Sequence, residues 1–143
     1  MGNVREYIAS GGFAQYLYCQ IGETLVSGNG VSGKIITEYD DGTNFHSSLP
    51  MFSNTSEVYF KMADDKNIVE QARVYINRRV SLDFDWNHTH RDFQRGIVHV
   101  HEWGMNKDGK WTRTGNVRYM NNNEIERYGE LLHLANPKVK FRP

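Results

Sequence analysis

The stretch SLDFDWNHTHRDFQRGIVHVHEWGM, residues 81–105, decides the architecture that the sequence predicts. Its first part alternates in polarity, so that the apolar residues Leu82, Phe84 and Trp86 share one face of a strand and the acidic residues between them share the other. The second part, residues 97–103, alternates in the same way. Two alternating runs joined by a short polar segment are typical of an antiparallel hairpin, which we expect here.

Four of the six histidines of the chain lie in this hairpin as two His-x-His pairs, His88/His90 and His99/His101. With residues 91–96 as the connecting loop, His88 lies opposite His99, and all four imidazoles face one side of the hairpin. Directly opposed imidazoles are then close enough to share a phosphate group or a metal ion.

Residue parity also decides which other side chains share the face of the histidines. In the same register Trp86 lies opposite His101, whereas the carboxylates point to the other face; these are Asp83, Asp85 and Glu102. The carboxylates would then not complete a metal site with the histidines. The hairpin is therefore predicted to present a surface of imidazoles rather than a mixed carboxylate and histidine cage.

Three interpretations of the four histidines follow from their chemistry. They can be amphipathic residues at the rim of a core lined by Trp86 and Trp103. They can hold zinc, copper or iron, since neutral imidazoles suit these metals. They can also act without a metal or other cofactor, because one imidazole can take a proton and another can return it near neutral pH. This third interpretation predicts cleavage of RNA, and its catalytic candidates are His99 and His101, followed by His88 and His90.

Basic and aromatic residues interleave in the segment after the hairpin, KWTRTGNVRYM, residues 110–120. Cleavage of a phosphodiester requires cations that stabilise the charge developing on the phosphoryl oxygens, and aromatic rings stack on bases. An ordinary solvated hairpin has the same pattern. The residues predicted to bind the substrate are Arg95, Lys110, Arg113, Arg118 and Tyr119.

Further strands are expected before the hairpin. Residues 63–79 suit either a helix face or a strand. We favour strands, because the segment VYI is β-branched and aromatic and the dipeptide Asn77-Arg78 can close a hairpin. A short helix is expected over residues 3–10, ahead of a pair of glycines.

The clearest helix is NNNEIERYGELLHLANP, residues 121–137, with Asn123 as N-cap and Glu126 three residues later. Its apolar face is expected to pack on a sheet and consists of Ile125, Tyr128, Leu132 and Ala135. Together the elements predict a single α+β domain over residues 1–143, with a mostly antiparallel, meandering sheet and the C-terminal helix packed across it.

The composition limits the classes of partner. Charge is balanced, with 17 Lys+Arg and 17 Asp+Glu, so binding of nucleic acid would need a local basic patch. Cys19 is the only cysteine, which excludes an intramolecular disulfide and a thiolate zinc cage. No apolar run approaches the roughly 20 residues of a membrane helix, and the N-terminus lacks the apolar core of a signal peptide. We expect no membrane partner and a protein that is cytoplasmic or delivered into a target cell.

The order of three segments, LPMFSNTSEVYF, QARVYINRRVSLDFDWNHTH and GIVHVHEW, before a basic segment and a closing helix resembles toxin-like C-terminal domains of phage head-morphogenesis and polymorphic toxin proteins. The resemblance covers about residues 48–143 and leaves residues 1–45 without a counterpart. It implies a compact α+β module that acts as a nuclease, an acidic immunity protein as partner, and a site made of His88, His90, His99 and His101. The alternative is a non-catalytic binding or phage-associated structural module, whose histidine cluster is structural or binds a transition metal.

Overall fold

The computed structural model of the chain describes residues 4–9, 16–40, 45–46, 49–53, 56–63, 68–87 and 93–142. These residues form nine strands followed by one α-helix. In chain order the elements are β1 (Val4–Ala9), β2 (Tyr16–Val26), β3 (Ser32–Asp40), β4 (Phe45–His46), β5 (Val58–Met62), β6 (Val69–Ile76), β7 (Arg79–Asp85), β8 (His99–Met105), β9 (Trp111–Tyr119) and α1 (Asn122–Ala135).

The strands form one sheet in the order β1-β2-β3-β5-β6-β7-β8-β9, and β4 also pairs with β3. Neighbouring strands are antiparallel except β3 and β5, which run parallel. The helix α1 packs on this sheet, because its residues Tyr128, Leu131 and Leu132 belong to the same buried cluster as Phe84 and Val100. The predicted α+β architecture, with a mostly antiparallel sheet and a C-terminal helix, is confirmed.

The segment 63–79, where the sequence suits both a helix and a strand, contains β6 and the turn to β7. Asn77 and Arg78 both have left-handed backbone angles, with φ of 53° and 69°. Positive φ at both central residues is the signature of the two-residue turn that matches the twist of a β-hairpin. The preference for strands and for a hairpin at this dipeptide is therefore confirmed.

The expected helix over residues 3–10 is wrong, because Val4–Ala9 forms β1 and pairs antiparallel with β2. A helix of one or two turns is marginal on its own, since its first hydrogen bond orders several residues at once. In β1 the backbone N–H and C=O groups of these residues form hydrogen bonds with the long strand β2, at the edge of the sheet. Tertiary pairing thus overrides the local helix signal.

The helix α1 begins two residues earlier than the sequence predicts. Asn121 is the N-cap, its side chain accepts a hydrogen bond from the backbone N–H of Glu124, and the Glu124 side chain accepts one from the backbone N–H of Asn121. The run NNNEIE offers the same Asn-x-x-Glu spacing at Asn123 and Glu126. Glu124 also binds Arg118 in β9 through both carboxylate oxygens, which favours the earlier cap.

The central strands place their side chains on two faces of the sheet. The face covered by α1 carries the main buried cluster, which includes Phe60, Val74, Phe84 and Val100. The opposite face carries a smaller cluster with Leu49, Tyr59, Tyr75 and Val80, beside which pack Trp103 and Trp111. Alternation along β7 and β8 puts the polar residues between the main-core positions on this second face.

The part of the chain described above contains no helix that combines the length and the apolar character needed to cross a membrane.

Candidate metal centre

The pairing of β7 with β8 places Asp85 opposite His99 and Asp83 opposite His101. The predicted register, with His88 opposite His99 and Trp86 opposite His101, is therefore wrong by three residues. An odd shift exchanges the faces of a strand relative to its neighbour, so the acidic residues share the side of His99 and His101. Sequence parity predicted the reverse for Asp83 and Asp85.

Burial of Trp86 gives the physical reason for the observed register. Its indole packs in the main cluster with Val98 and Val100, on the helix-covered face, and its Nε1 donates a hydrogen bond to the carbonyl oxygen of Val69. In the predicted register Trp86 would share a face with the histidines. Burying the large apolar side chains together places the imidazoles on the opposite face.

Asp85, His99 and His101 form a buried cluster on the second face of the sheet. Each offers one ligand atom, and these atoms lie within 4.8 Å of one another. The exposed fractions of the three residues are 5%, 0% and 6%. One carboxylate and two imidazoles, all of them buried, thus lie close together, and the three residues are no more than 16 positions apart in the sequence.

The three side chains are in direct contact. Nε2 of His101 lies 3.1 Å from Oδ2 of Asp85. The rings of His99 and His101 meet edge to face with centroids 5.3 Å apart, and the ring of Phe93 covers His99 at 5.6 Å. Both ring nitrogens of His99 are shielded from solvent. These two atoms are therefore not directly exposed to solvent in this arrangement.

Asp83, which precedes Asp85 by two residues on the same face of β7, is the centre of a charged network. Arg73 binds it with two N–H groups, at 2.6 Å to Oδ1 and 3.1 Å to Oδ2, and Trp103 Nε1 donates to Oδ2 at 2.9 Å. Burial by itself raises the pKa of this carboxyl. The hydrogen bonds and charge of Arg73, with hydrogen bonds from Trp103 and Arg113, outweigh burial and lower the pKa of Asp83 below its usual range.

Arg113 on β9 connects Asp83 with the cluster. Its Nη2 lies 2.7 Å from Oδ2 of Asp83 and 3.7 Å from Oδ2 of Asp85. Its side chain is 40% exposed, whereas both carboxylates are buried. Arg113 is thus a cation that reaches from solvent to the edge of the cluster.

The structure brings some of the predicted site residues together. His99 and His101 are neighbours, and Tyr119 lies opposite His99 on β9 and packs against Phe93 with ring centroids 4.9 Å apart. Arg113 borders the cluster, as described above. His88 and His90, the other two predicted catalytic residues, lie outside the described residues.

The other predicted substrate-binding residues lie elsewhere. Lys110 precedes Trp111, which pairs with Met105 at the far end of β8, about 20 Å from His99 at a rise of about 3.3 Å per residue. Arg95 is exposed in the connection between β7 and β8.

Arg118 lies opposite Val100, on the side of the sheet that α1 covers, and is engaged by two carboxylates. Its Nε lies 2.6 Å from Oε2 of Glu102, and its Nη1 and Nη2 bind Glu124 at 2.7 and 2.8 Å. These bonds, those to Glu124 first, raise the pKa of the guanidinium further above its usual value. Its charge is therefore already balanced inside the protein.

Sequence reasoning missed the roles of Arg73, Asp83 and Asp85. The pattern Leu-Asp-Phe-Asp in a strand at the middle of a sheet was a usable signal, because carboxylates alternating with core residues in such a strand are buried and require cationic or metal partners. Arg73 carries no local signal of this kind. It is separated from Asp83 by a hairpin turn, and only the pairing of β6 with β7 places it opposite Asp83.

No protein-family model, curated protein or solved structure matches this chain. The resemblance to toxin-like domains therefore stays a hypothesis from the sequence.

Proposed function

We propose that this chain is a metal-binding module in which Asp85, His99 and His101 hold a single transition-metal ion. The observation that carries the proposal is the convergence of one carboxylate and two imidazoles, with ligand atoms within 4.8 Å, at positions that are almost completely buried. Buried polar side chains are retained where they are hydrogen-bonded or coordinate a metal.

The donor set fits the metals that favour imidazole. Two histidines and one carboxylate with a remaining open position are a common ligand set for zinc, and the same set holds non-haem iron(II). Ligand atoms about 2.1 Å from one ion are at most about 4.2 Å apart. The 3.1 Å separation of His101 and Asp85 already satisfies this limit, and the widest pair, within 4.8 Å, exceeds it by no more than about 0.6 Å.

The neighbouring charges orient the ligands. Arg113 touches both Asp83 and Asp85, and Asp83 is held in turn by Arg73 and Trp103. Partners that fix the position of a liganding carboxylate strengthen metal affinity, typically by 10- to 100-fold. Such a centre ties β7 to β8 in the sheet and leaves a coordination position for solvent or a further ligand.

The test is a titration of the purified full chain after treatment with a chelator. We expect one Zn²⁺ or Co²⁺ to bind per chain, the Co²⁺ form to gain a visible absorption band, and the melting temperature to rise with metal. Two variants each remove one proposed ligand: Asp85→Asn, which keeps the shape of the side chain, and His101→Ala. Each should weaken metal binding by more than about 100-fold, the upper end of the effect of residues that only support the ligands.

His133→Ala is the matched control, because His133 is an exposed histidine of α1 whose Nε2 contacts the carbonyl oxygen of Val139. This variant should bind metal as the wild type does. Lack of uptake by the stripped wild type, or equal losses in His133→Ala and His101→Ala, would contradict the proposal.

The ribonuclease that the sequence predicts stays a second candidate, with RNA and an immunity protein as its partners. The contact between His101 and Asp85 beside Arg113 favours it, since a carboxylate can orient an imidazole that exchanges protons. The burial of His99 and His101 favours the metal proposal instead, because a general acid or base must come within hydrogen-bond reach of its substrate.

A further inference from the structure

We infer that the metal-loaded centre binds an oxyanion of the phosphate class between the ion and Arg113. The inference rests on the proposed metal site and names the ligand that completes it. Three features of the structure support it: the balance of buried charge, the distance from Arg113 to a metal ligand, and the exposure of Arg113.

Among the described residues, the four charged side chains in contact at the centre balance one another without a metal. Arg73 and Arg113 carry two positive charges, and Asp83 and Asp85 carry two negative charges. A divalent ion held by neutral imidazoles therefore adds two positive charges that none of these four side chains compensates. Because an uncompensated charge in the interior is strongly unfavourable, the loaded site favours an anion from solution as a further ligand.

The distance from Arg113 to Asp85 limits how far the guanidinium lies from the ion. Nη2 of Arg113 is 3.7 Å from Oδ2 of Asp85, and a metal bound to that oxygen lies about 2.1 Å from it. The ion is therefore no more than about 5.8 Å from Nη2, whatever the angle between the two directions. A phosphate with one oxygen on the ion and another about 2.8 Å from a guanidinium nitrogen spans such a gap.

Arg113 also has the exposure and the donors for this role. Its side chain is 40% exposed, so an anion can approach it from solvent, whereas the three proposed ligands are buried. It binds Asp83 through Nε and Nη2. Among the residues that the structure describes, no acceptor contacts its Nη1, and this N–H pair can therefore serve an added oxygen. Arginine forms strong, geometrically specific hydrogen bonds with phosphate.

The experiment follows the binding of inorganic phosphate to the Co²⁺-loaded full chain, by calorimetry and by the change in visible absorption. We expect phosphate to bind and to shift the absorption band, since it enters the coordination sphere. At a Co²⁺ concentration that saturates the variant, Arg113→Gln should weaken phosphate binding by about 10- to 100-fold, the loss expected for a hydrogen bond to a charged group. Arg113→Lys keeps the charge without the planar fork and should give an intermediate affinity.

Lys107→Gln is the control for charge, because Lys107 is an exposed cation in the turn between β8 and β9 and its change removes the same unit of charge. It should leave phosphate affinity within about twofold of the wild type. Metal uptake and melting temperature are measured first for every variant. Failure of the wild type to bind metal overturns both proposals, whereas metal binding without phosphate binding, or equal affinity in Arg113→Gln, overturns the oxyanion inference alone.

Discussion

Replacement of Asp83 by asparagine tests the charged network that supports the candidate metal centre. Asp83 is completely buried and accepts hydrogen bonds from Arg73, Trp103 and Arg113. Asparagine preserves the size of the side chain but removes the negative charge. Its amide nitrogen replaces a carboxylate oxygen and cannot accept the hydrogen bonds that this oxygen accepts. The substitution therefore isolates the contribution of charge from that of packing.

The loss of the charge acts mainly through Arg73. Arg73 is 8% exposed, and it also donates hydrogen bonds to the backbone carbonyl oxygens of Leu49 and Pro50, which are uncharged. Arg113 is 40% exposed, so solvent screens its loss of a partner and its contribution is small. Breaking a buried ion pair from one side destabilises a protein by about 3–5 kcal/mol, a large part of the about 5–15 kcal/mol of a typical domain.

The assay is urea unfolding at neutral pH followed by tryptophan fluorescence, with metal removed from every sample. We expect Asp83→Asn to lower the free energy of unfolding by about 3–5 kcal/mol. Asp108→Asn, at an exposed position in the turn after β8, should change it by no more than about 0.5 kcal/mol.

A second substitution separates the lost pair from other effects. Arg73→Met in the Asp83→Asn background removes the buried charge whose ion pair with Asp83 is lost, so part of the stability should return. A wild-type-like stability of Asp83→Asn, within about 1 kcal/mol, would refute the argument that this carboxylate neutralises a buried arginine.

Two further predictions concern the ribonuclease hypothesis and the helix α1. If the ribonuclease hypothesis holds, protein treated with EDTA degrades RNA between about pH 6 and 8, and both His99→Ala and His101→Ala abolish the cleavage. RNA that stays intact in a gel assay would contradict this hypothesis and would not bear on the metal proposal. Burial, with the charge of Glu57, raises the pKa of the Tyr128 hydroxyl. Because this hydroxyl ionises at a lower pH in the unfolded chain than in the folded protein, the wild type should lose stability above about pH 10, whereas Tyr128→Phe should not show this loss. Denaturant titrations below and above that pH measure the free energy of unfolding of both proteins, and an equal decrease in the two would contradict the prediction.

Local patterns in the sequence account for most of the elements. The run VYI and the dipeptide Asn77-Arg78 predicted β6 and its turn to β7, because β-branched residues and a tight-turn pair act over a few positions. The apolar spacing of Tyr128 and Leu132 likewise predicted the buried face of α1. The short strand β1 was missed, since its pairing with β2 supplies hydrogen bonds that no local pattern reports.

The sequence by itself determined that His99 and His101 share one face of a strand and that Asp83 and Asp85 share one face of another, because side chains alternate along any strand. Only the tertiary structure decided that these two faces coincide. The register between β7 and β8 depends on burying Trp86 with Val100 under α1, and a change of three residues in that register would separate the carboxylates from the imidazoles. The segment of residues 81–105 therefore contains a candidate metal centre because its opposite face packs against α1, which is distant in the sequence.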